Sequence, residues 1–311
     1  MYVAYTVNGI EDVAEKELKG KKIFPQRIKF SKQKKEYRSV NRVIKILKIF
    51  TFKDPDDILN QINNIKFSFK GSFKVECERR GNHNFRSIDI EINAGRIIIK
   101  KGFKVDLKKP SNVVFIDVFE NNCMVGILIK DRLCKRSYRL KINNKSINAC
   151  LAYALLKISD VKKTESILDP FCKDGVIPIE ASLSNIKKVY SSDPIKNNIR
   201  NSLINSKLAK IRLKFENYDV SWLDTKFKKD SIDKIITNIF ISRIDKEPEK
   251  LIKEFFHQSH YVVKKTITLI TNKPDMIKSS TDNDFILKSE RKIQIGEMIY
   301  YILEFNKVKH S

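Results

Sequence analysis

Apolar and polar residues alternate over positions 2–7, the two-residue period of a strand with one buried face. Gly9 then leads into Ile10–Lys19, acidic at its start and basic at its end, the charge order that suits a helix macrodipole. Short strands are predicted around Arg27–Phe30, Tyr37–Val40 and Ile44–Phe50. A βαββ order packed into so short a stretch predicts a small ferredoxin-like module. Asp54-Pro55-Asp56-Asp57 next supplies a cap for a helix beginning at Ile58, with proline near its first turn. Ser72–Arg80 has the pattern of a strand running into a basic turn, and Asp89–Lys101 that of a helix weakened by Gly95. After a connector at Val105–Pro110, Val113–Phe119 and Cys123–Ile129 predict a hairpin across Glu120-Asn121-Asn122.

Arg132–Lys145 is polar and rich in basic residues and is the predicted interdomain linker. A helix over Ser146–Ile158 then precedes strands near Ile167, Val189–Ser192, Leu213–Glu216 and Lys234–Asn238. The next strand falls at either Tyr261–Val263 or Thr266–Thr271, and Phe285–Ile293 with Ile299–Phe305 forms a terminal hairpin. Strands alternating with helices predict an α/β fold, a Rossmann-like doubly wound unit preceded by an α+β module. The expected division is 1–53 for the ferredoxin-like domain, 54–130 for a second small unit, 131–145 for the linker and 146–311 for the doubly wound domain. There is no tandem repeat and no low-complexity segment.

Charge changes this picture more than size does. Lysine and arginine number 62 against 37 acidic residues, a formal +25. Such an excess favours a polyanion, because neutralised phosphates release counterions. A lysine-, isoleucine- and asparagine-rich composition also arises from base bias, with lysines spread over a solvated surface; nucleic acid is the favoured reading. No long basic amphipathic helix suggests a membrane surface, and no apolar run approaches the ~20 residues of a membrane span. The start of the chain has neither a basic n-region nor a cleavable apolar segment, so a cytoplasmic protein is expected. Five cysteines, at 77, 123, 134, 150 and 172, are odd in number and include no Cys-x-x-Cys pair. That fits a reducing compartment and predicts no metal site.

The chemistry concentrates in Asp169-Pro170-Phe171-Cys172-Lys173-Asp174-Gly175-Val176-Ile177-Pro178-Ile179-Glu180-Ala181. A short apolar lead-in ends in an acid, then a small-residue turn, then an amphipathic run: strand end, turn and helix start. Nucleotide-type ligands bind at such places because helix N-terminal N–H groups are unpaired and strand-end carboxylates accept ligand donors. Asp193 follows the second predicted strand, where a carboxylate can accept ribose hydroxyls, and Asp219 follows the third, where one can accept an adenine amino proton. Each acid alone is a solvated loop residue; the ordered set Asp169, Gly175, Asp193 and Asp219 marks a nucleoside-cofactor pocket. No phosphate-cradling glycine pattern occurs, so a zwitterionic cofactor without phosphates suits the turn better than NAD or ATP. Lys173 either pairs with that cofactor's carboxylate or points to solvent.

On the acceptor side, Asn238-Ile239-Phe240-Ile241 follows the fourth predicted strand. An exocyclic amine has its lone pair delocalised into the ring and is a poor nucleophile. An amide oxygen and a backbone carbonyl can accept its N–H bonds and aim the lone pair, while an aromatic ring stacks on the base. Asn238 supplies the first role and Phe240, one position early, the second; equally, Ile239–Ile241 can be buried strand continuation. Three clusters mix basic, aromatic and turn residues as RNA phosphates and unstacked bases require. They contain Arg79, Arg80 and His83; Lys104, Lys108 and Lys109; and Arg136 and Arg139, although each alone is also an ordinary charged surface. No Ser-His-Asp or Cys-His set stands out.

The whole chain resembles THUMP-domain tRNA guanine-N2 methyltransferases, and within them the subgroup that forms N2-methylguanosine at position 6 of the acceptor stem. The resemblance rests on Asp169–Ala181, Val75–Gly81, Lys104–Leu107, and Arg136–Arg139 followed by Ser146–Tyr153. It implies a THUMP module within 54–130 that binds the tRNA 3′ end. It also implies S-adenosyl-L-methionine as cofactor, held by Asp169, Phe171, Lys173, Gly175, Asp193 and Asp219. The family's Cys-Gly-Ser-Gly-Thr reads Cys172-Lys173-Asp174-Gly175-Val176 here, and its Asn-Leu-Pro-Tyr reads Asn238-Ile239-Phe240-Ile241. The rival reading is a tRNA-binding protein that has lost methyl transfer; a generic RNA-binding module is a third.

Overall fold

The computed structural model describes residues 1–281 and 283–308. The chain divides into two units, one of Met1–Tyr5, Leu18–Lys35 and Asn41–Arg132, the other of Thr6–Glu17, Glu36–Val40 and the chain from Leu133 onward. Up to Lys130 the elements are β1 (Tyr2–Thr6), α1 (Glu11–Leu18), β2 (Lys21–Phe24), β3 (Arg27–Phe30), β4 (Val40–Thr51), α2 (Pro55–Asn63), β5 (Phe73–Arg80), α3 (Ser87–Lys100), β6 (Asn112–Phe119) and β7 (Asn122–Lys130).

All seven strands form one sheet, in the order β2-β3-β1-β4-β7-β6-β5. Strands before and after position 54 therefore share a sheet, through antiparallel pairing of β4 with β7 from Val43↔Lys130 to Thr51↔Asn122. The expected strands at Tyr37–Val40 and Ile44–Phe50 are replaced by this single β4, which absorbs its irregular pattern in two register shifts. β2 escapes the sequence pattern because it is an edge strand whose Lys21 and Lys22 are exposed. α2 begins at Pro55 rather than Ile58: Asp54 caps it by accepting from Asp57 N at 2.9 Å, and a first-turn proline has no N–H to waste. Between the strands, Tyr5 OH (2.8 Å) and Arg27 (2.6 and 2.7 Å) converge on Asp117, so this buried carboxylate is fully partnered.

The second unit contains α4 (Ala149–Ile158), β8 (Ser166–Asp169), α5 (Val176–Leu183), β9 (Lys188–Ser191), α6 (Lys196–Leu208), a 3-10 turn (Val220–Trp222), α7 (Leu223–Lys226), β10 (Ile232–Ile239), α8 (Pro248–Val262), β11 (Val263–Thr271), α9 (Pro274–Ser279), β12 (Phe285–Ile295) and β13 (Met298–Lys307). Its sheet order is β12-β13-β11-β10-β8-β9, with β8 to β11 parallel and the terminal hairpin antiparallel. Sequence neighbours such as Ile235 and Ile236, or Leu269 and Ile270, fall into different apolar clusters, as the two-residue period requires of a sheet buried on both faces. Ile10 and Val13 of the α1 region join one of these clusters with Leu151 and Leu155 of α4.

Two expectations change here. Leu213–Glu216 is not a strand; only a bridge between Ser192 and Glu216 forms, at the outer margin of β9. Of the two placements for the next strand, Thr266–Thr271 lies in β11, while Tyr261 stays in α8. Cys134 and Cys150 form a disulfide with Cα atoms 5.3 Å apart, a pairing for which the scattered spacing offered no reason. Cys77, Cys123 and Cys172 are free and buried.

Candidate active site

β8 pairs with β9 on one side and β10 on the other, so the chain leaves it in opposite directions and opens a crevice at the carboxyl ends. Asp169 ends β8, and Asn238 lies near the end of β10 in the register Leu168↔Ile235. The Asp169 carboxylate is 1% exposed and accepts from Thr237 Oγ1 (2.7 Å) and Phe171 N (3.3 Å). Burial pushes its pKa up to about 7, against the Thr237 hydrogen bond and the Lys173 charge, which lower it. Because the folded-state value lies above the ordinary one, the protonated form belongs to the fold. Its stabilisation is complete below the unfolded pKa and is lost as pH rises through about 7. Between pH 5 and 7 the wild type is expected to lose about 2 kcal/mol relative to Asp169→Asn, read as a falling Tm that the variant lacks.

The turn after β8 is stitched to β9 by Ser192 N on Asp169 O and Cys172 N on Ser192 O, both 3.0 Å. Asp193 accepts Lys173 N (2.9 Å), Ile195 N (3.0 Å) and Asn198 Nδ2 (2.8 Å). A carboxylate offers about four lone-pair positions, so one remains for a ligand hydroxyl. Asn217 Nδ2 ties the next segment to the carbonyls of Asp193 and Pro194, each at 2.9 Å. Asp219 follows, half-buried, capping the 3-10 turn through one oxygen. Gly175 has φ +79°, and a Cβ there would come within 3.0 Å of the Ser202 side chain and 3.1 Å of the Phe215 ring. Both handedness and space demand glycine.

Lys173 takes neither expected orientation. Its φ is +52°, and its side chain turns inward, where Nζ donates to the Asn238 carbonyl and, at 3.5 Å, to the Phe171 carbonyl. Burial pushes the amine's pKa down, while Asp169 and Asp193, with Cys172 and Asp174, push it back up.

Arg136 and Arg139 also turn inward. Arg139 pairs with fully buried Asp174 (2.7 Å), which also accepts from Ser146 Oγ (2.6 Å) and Asn143 N (3.3 Å). Fully buried Glu180 accepts Arg136 Nε (3.0 Å), Arg38 (2.9 Å) and Tyr138 OH (2.8 Å). The Arg-Ser-Tyr-Arg cluster is thus the counter-ion of the Asp169–Ala181 motif. Sequence reading missed Asp174 and Glu180, although a lone acid inside Ile177-Pro178-Ile179-Glu180-Ala181 signals a buried charge that needs a partner.

Asn238 is 3% exposed, and Nδ2 donates to the Lys145 carbonyl at 2.9 Å. That acceptor fixes the amide orientation and leaves buried Oδ1 with no hydrogen-bond partner among the described residues. Lys145 also went unnoticed in the sequence, since its contribution is a backbone atom. Phe240 is the first residue past β10 and is half-buried, its ring 6.4 Å from that of Tyr300. Ile239 and Ile241 are the buried members of the loop, and Asn272 holds Ile241 by both backbone groups (2.9 and 2.8 Å). Strand continuation therefore describes Ile239 alone: β10 ends there, Phe240 is half-buried beyond it, and Ile241 is buried outside the strand.

The two basic groups of the first unit stand apart. Arg79 and Arg80 are the last residues of β5, and His83 follows the strand. Lys104, Lys108 and Lys109 lie beside the start of β5, where Phe73 N meets the Lys104 carbonyl at 2.9 Å. The intervening residues of β5 span roughly 23 Å. His83 bridges Arg79 and the Glu120 carbonyl (2.8 Å) and is a structural contact, while Arg80 and the three lysines are exposed.

A family model described as RMKL-like, methyltransferase domain, matches residues 136–299, and a THUMP-domain model matches 53–128. A tRNA (guanine(6)-N2)-methyltransferase of Archaeoglobus fulgidus is 32% identical over 207 residues, covering 58% of this chain and 53% of that protein. One of Methanocaldococcus jannaschii is 36% identical over 141 residues, 41% and 37% of the two chains. The alignments thus span about half or less of these relatives' length. TrmN from Thermus thermophilus has the same fold, with a TM-score of 0.84 at 22% identity over 99% of both chains. So does SMU.472 complexed with SAH, with a TM-score of 0.82 at 15% identity over 100% of this chain and 98% of that one.

Proposed function

The chain belongs to the RMKL-like methyltransferase-domain family, and from that premise we propose that it is a tRNA guanine-N2 methyltransferase using S-adenosyl-L-methionine. The target we propose is the guanine at position 6 of the acceptor stem. In this reading 1–53 and 54–130 are the ferredoxin-like and THUMP RNA-binding domains, 131–145 links them to the catalytic domain, and 146–311 carries the reaction. The observation that carries it is Asn238 Oδ1, a buried acceptor held in place by Lys145 and left without a donor among the described residues.

The residues present fit the cofactor. The remaining lone pair of Asp193 and the open oxygen of Asp219 can take ribose and adenine donors, and exposed Ile195 offers apolar cover beside them. The Asp169–Gly175 turn takes the amino-acid end. When bound, S-adenosyl-L-methionine supplies an electrophilic methyl group. Asn238 Oδ1 accepts one N–H of the exocyclic amine and turns its lone pair towards that group, which converts a weak nucleophile into an oriented one. Phe240, beside Tyr300, gives the base an aromatic wall. Arg80, Lys104, Lys108 and Lys109 are exposed cations for tRNA phosphates.

Binding of tRNA without methyl transfer is the second reading, favoured by the inward amine of Lys173 at the cofactor turn. Transfer of labelled methyl to two tRNA transcripts that differ only in the guanine at position 6 separates the two. Incorporation that vanishes with that guanine supports enzyme and target; incorporation into both moves the target; none into either, with tRNA still bound, supports the second reading.

A further inference from the structure

We propose that Lys173 is a tethered cation seated in the subsite that receives the α-ammonium of the cofactor's zwitterionic amino-acid end, so that binding requires its side chain to swing out. The inference rests on the methyltransferase reading and concerns the same turn.

The walls around Lys173 Nζ are acceptors. The carbonyls of Phe171 and Asn238 take its protons, and the carboxylates of Asp169 and Asp193 act on it electrostatically. A small enclosure of carbonyl and carboxylate oxygens is poorly satisfied by water alone and selects a cation. S-adenosyl-L-methionine carries two positive centres at its amino-acid end, the α-ammonium and the sulfonium, and S-adenosylhomocysteine keeps the first. Adenosine carries neither.

The turn is built so that the side chain can leave without the backbone. Lys173 N is held by Asp193 (2.9 Å), and Lys173 O by Ser202 Oγ (3.0 Å). Both anchors are main-chain contacts that survive a change of side-chain rotamer. The left-handed φ of +52° disfavours any non-glycine residue, so the backbone has no preference for lysine here. What lysine brings is reach: its amine ties the cofactor turn to the carbonyl of Asn238 across 65 residues of sequence. The amine therefore also occupies a backbone acceptor of the residue that orients the target amine. One side chain closes both halves of the site until the cofactor replaces it.

Calorimetric titration of the full chain with S-adenosyl-L-methionine, S-adenosylhomocysteine and adenosine tests this in wild type, Lys173→Gly and Lys173→Asn. Glycine and asparagine both tolerate the left-handed turn, so either can stand in if the other folds poorly. Shortening the side chain should tighten both ligands that carry the α-ammonium by about tenfold or more, the factor expected when a dominant closed form is removed, and leave adenosine unchanged. Unchanged affinity for all three ligands, with binding present, would overturn the tethered cation and leave the cofactor reading standing. An equal gain for adenosine overturns it too, since that marks general loosening. If no variant binds any of the three, the cofactor reading itself fails.

Discussion

Asn238→Ala is expected to lower methyl transfer by about a hundred- to a thousand-fold while S-adenosylhomocysteine affinity stays within about threefold. The two quantities separate because Asn238 meets the cofactor turn only through its backbone carbonyl, which alanine retains. What alanine removes is Oδ1 and the Nδ2 bond to Lys145. An amine donor that loses its acceptor is no longer aimed, and that penalty falls on the chemical step. Asn238→Asp gives a sharper contrast. It keeps an acceptor but sets a carboxylate oxygen against the Lys145 carbonyl, so activity should fall less than in the alanine variant. Single-turnover transfer on tRNA, with binding measured separately, checks both. A matched loss of cofactor affinity would mean that Asn238 supports the turn rather than the amine. Undiminished transfer would remove it from the reaction.

Local pattern was enough for part of this site. The strand-turn-helix at Asp169–Ala181 is legible because short-range rules govern it, a strand end and a glycine at positive φ, although the run expected to be amphipathic forms a helix buried from Val176 to Ala181. The terminal hairpin was also legible, its two expected segments lying inside β12 and β13. Direction of long side chains was not. Lys173, Arg136 and Arg139 look in sequence like ligands or RNA contacts, yet all three heads turn inward to acceptors between 35 and 65 residues away. Periodicity has no information on partners so distant. The Leu213–Glu216 segment shows the converse limit: its alternation satisfies a strand template, but beside β9 it makes one bridge and stops. In the first unit the two basic clusters read from the sequence lie at opposite ends of β5, a separation visible only once the strand is laid out.

The second large effect concerns stability, and it follows from that inward turn. Glu180 is fully buried and pairs with two guanidinium groups while accepting from Tyr138. Arg136 in addition donates to the carbonyls of Tyr37 (3.3 Å) and Arg38 (2.8 Å), so the acid on α5 indirectly fixes the Glu36–Val40 segment within the same unit. Glu180→Ala leaves Arg136 largely enclosed without its counter-ion and Arg38 with only the exposed Glu36 carboxylate at 3.4 Å. Breaking one side of such a buried pair costs about 3–5 kcal/mol, far above the loss of a single neutral hydrogen bond. The expected Tm decrease is on the order of 10 °C. Tyr138→Phe, which removes one hydrogen bond and no charge, should cost only about 1 kcal/mol. The ratio between the two variants is the informative quantity, because it separates charge compensation from packing. If Glu180→Ala falls no further than Tyr138→Phe in a thermal melt, the arginines have found water, and the Arg-Ser-Tyr-Arg cluster does not hold the cofactor turn through charge. If the large difference appears, the basic cluster and the Asp169–Ala181 motif are two halves of one internal ion pair, and their joint presence in the sequence has a structural cause.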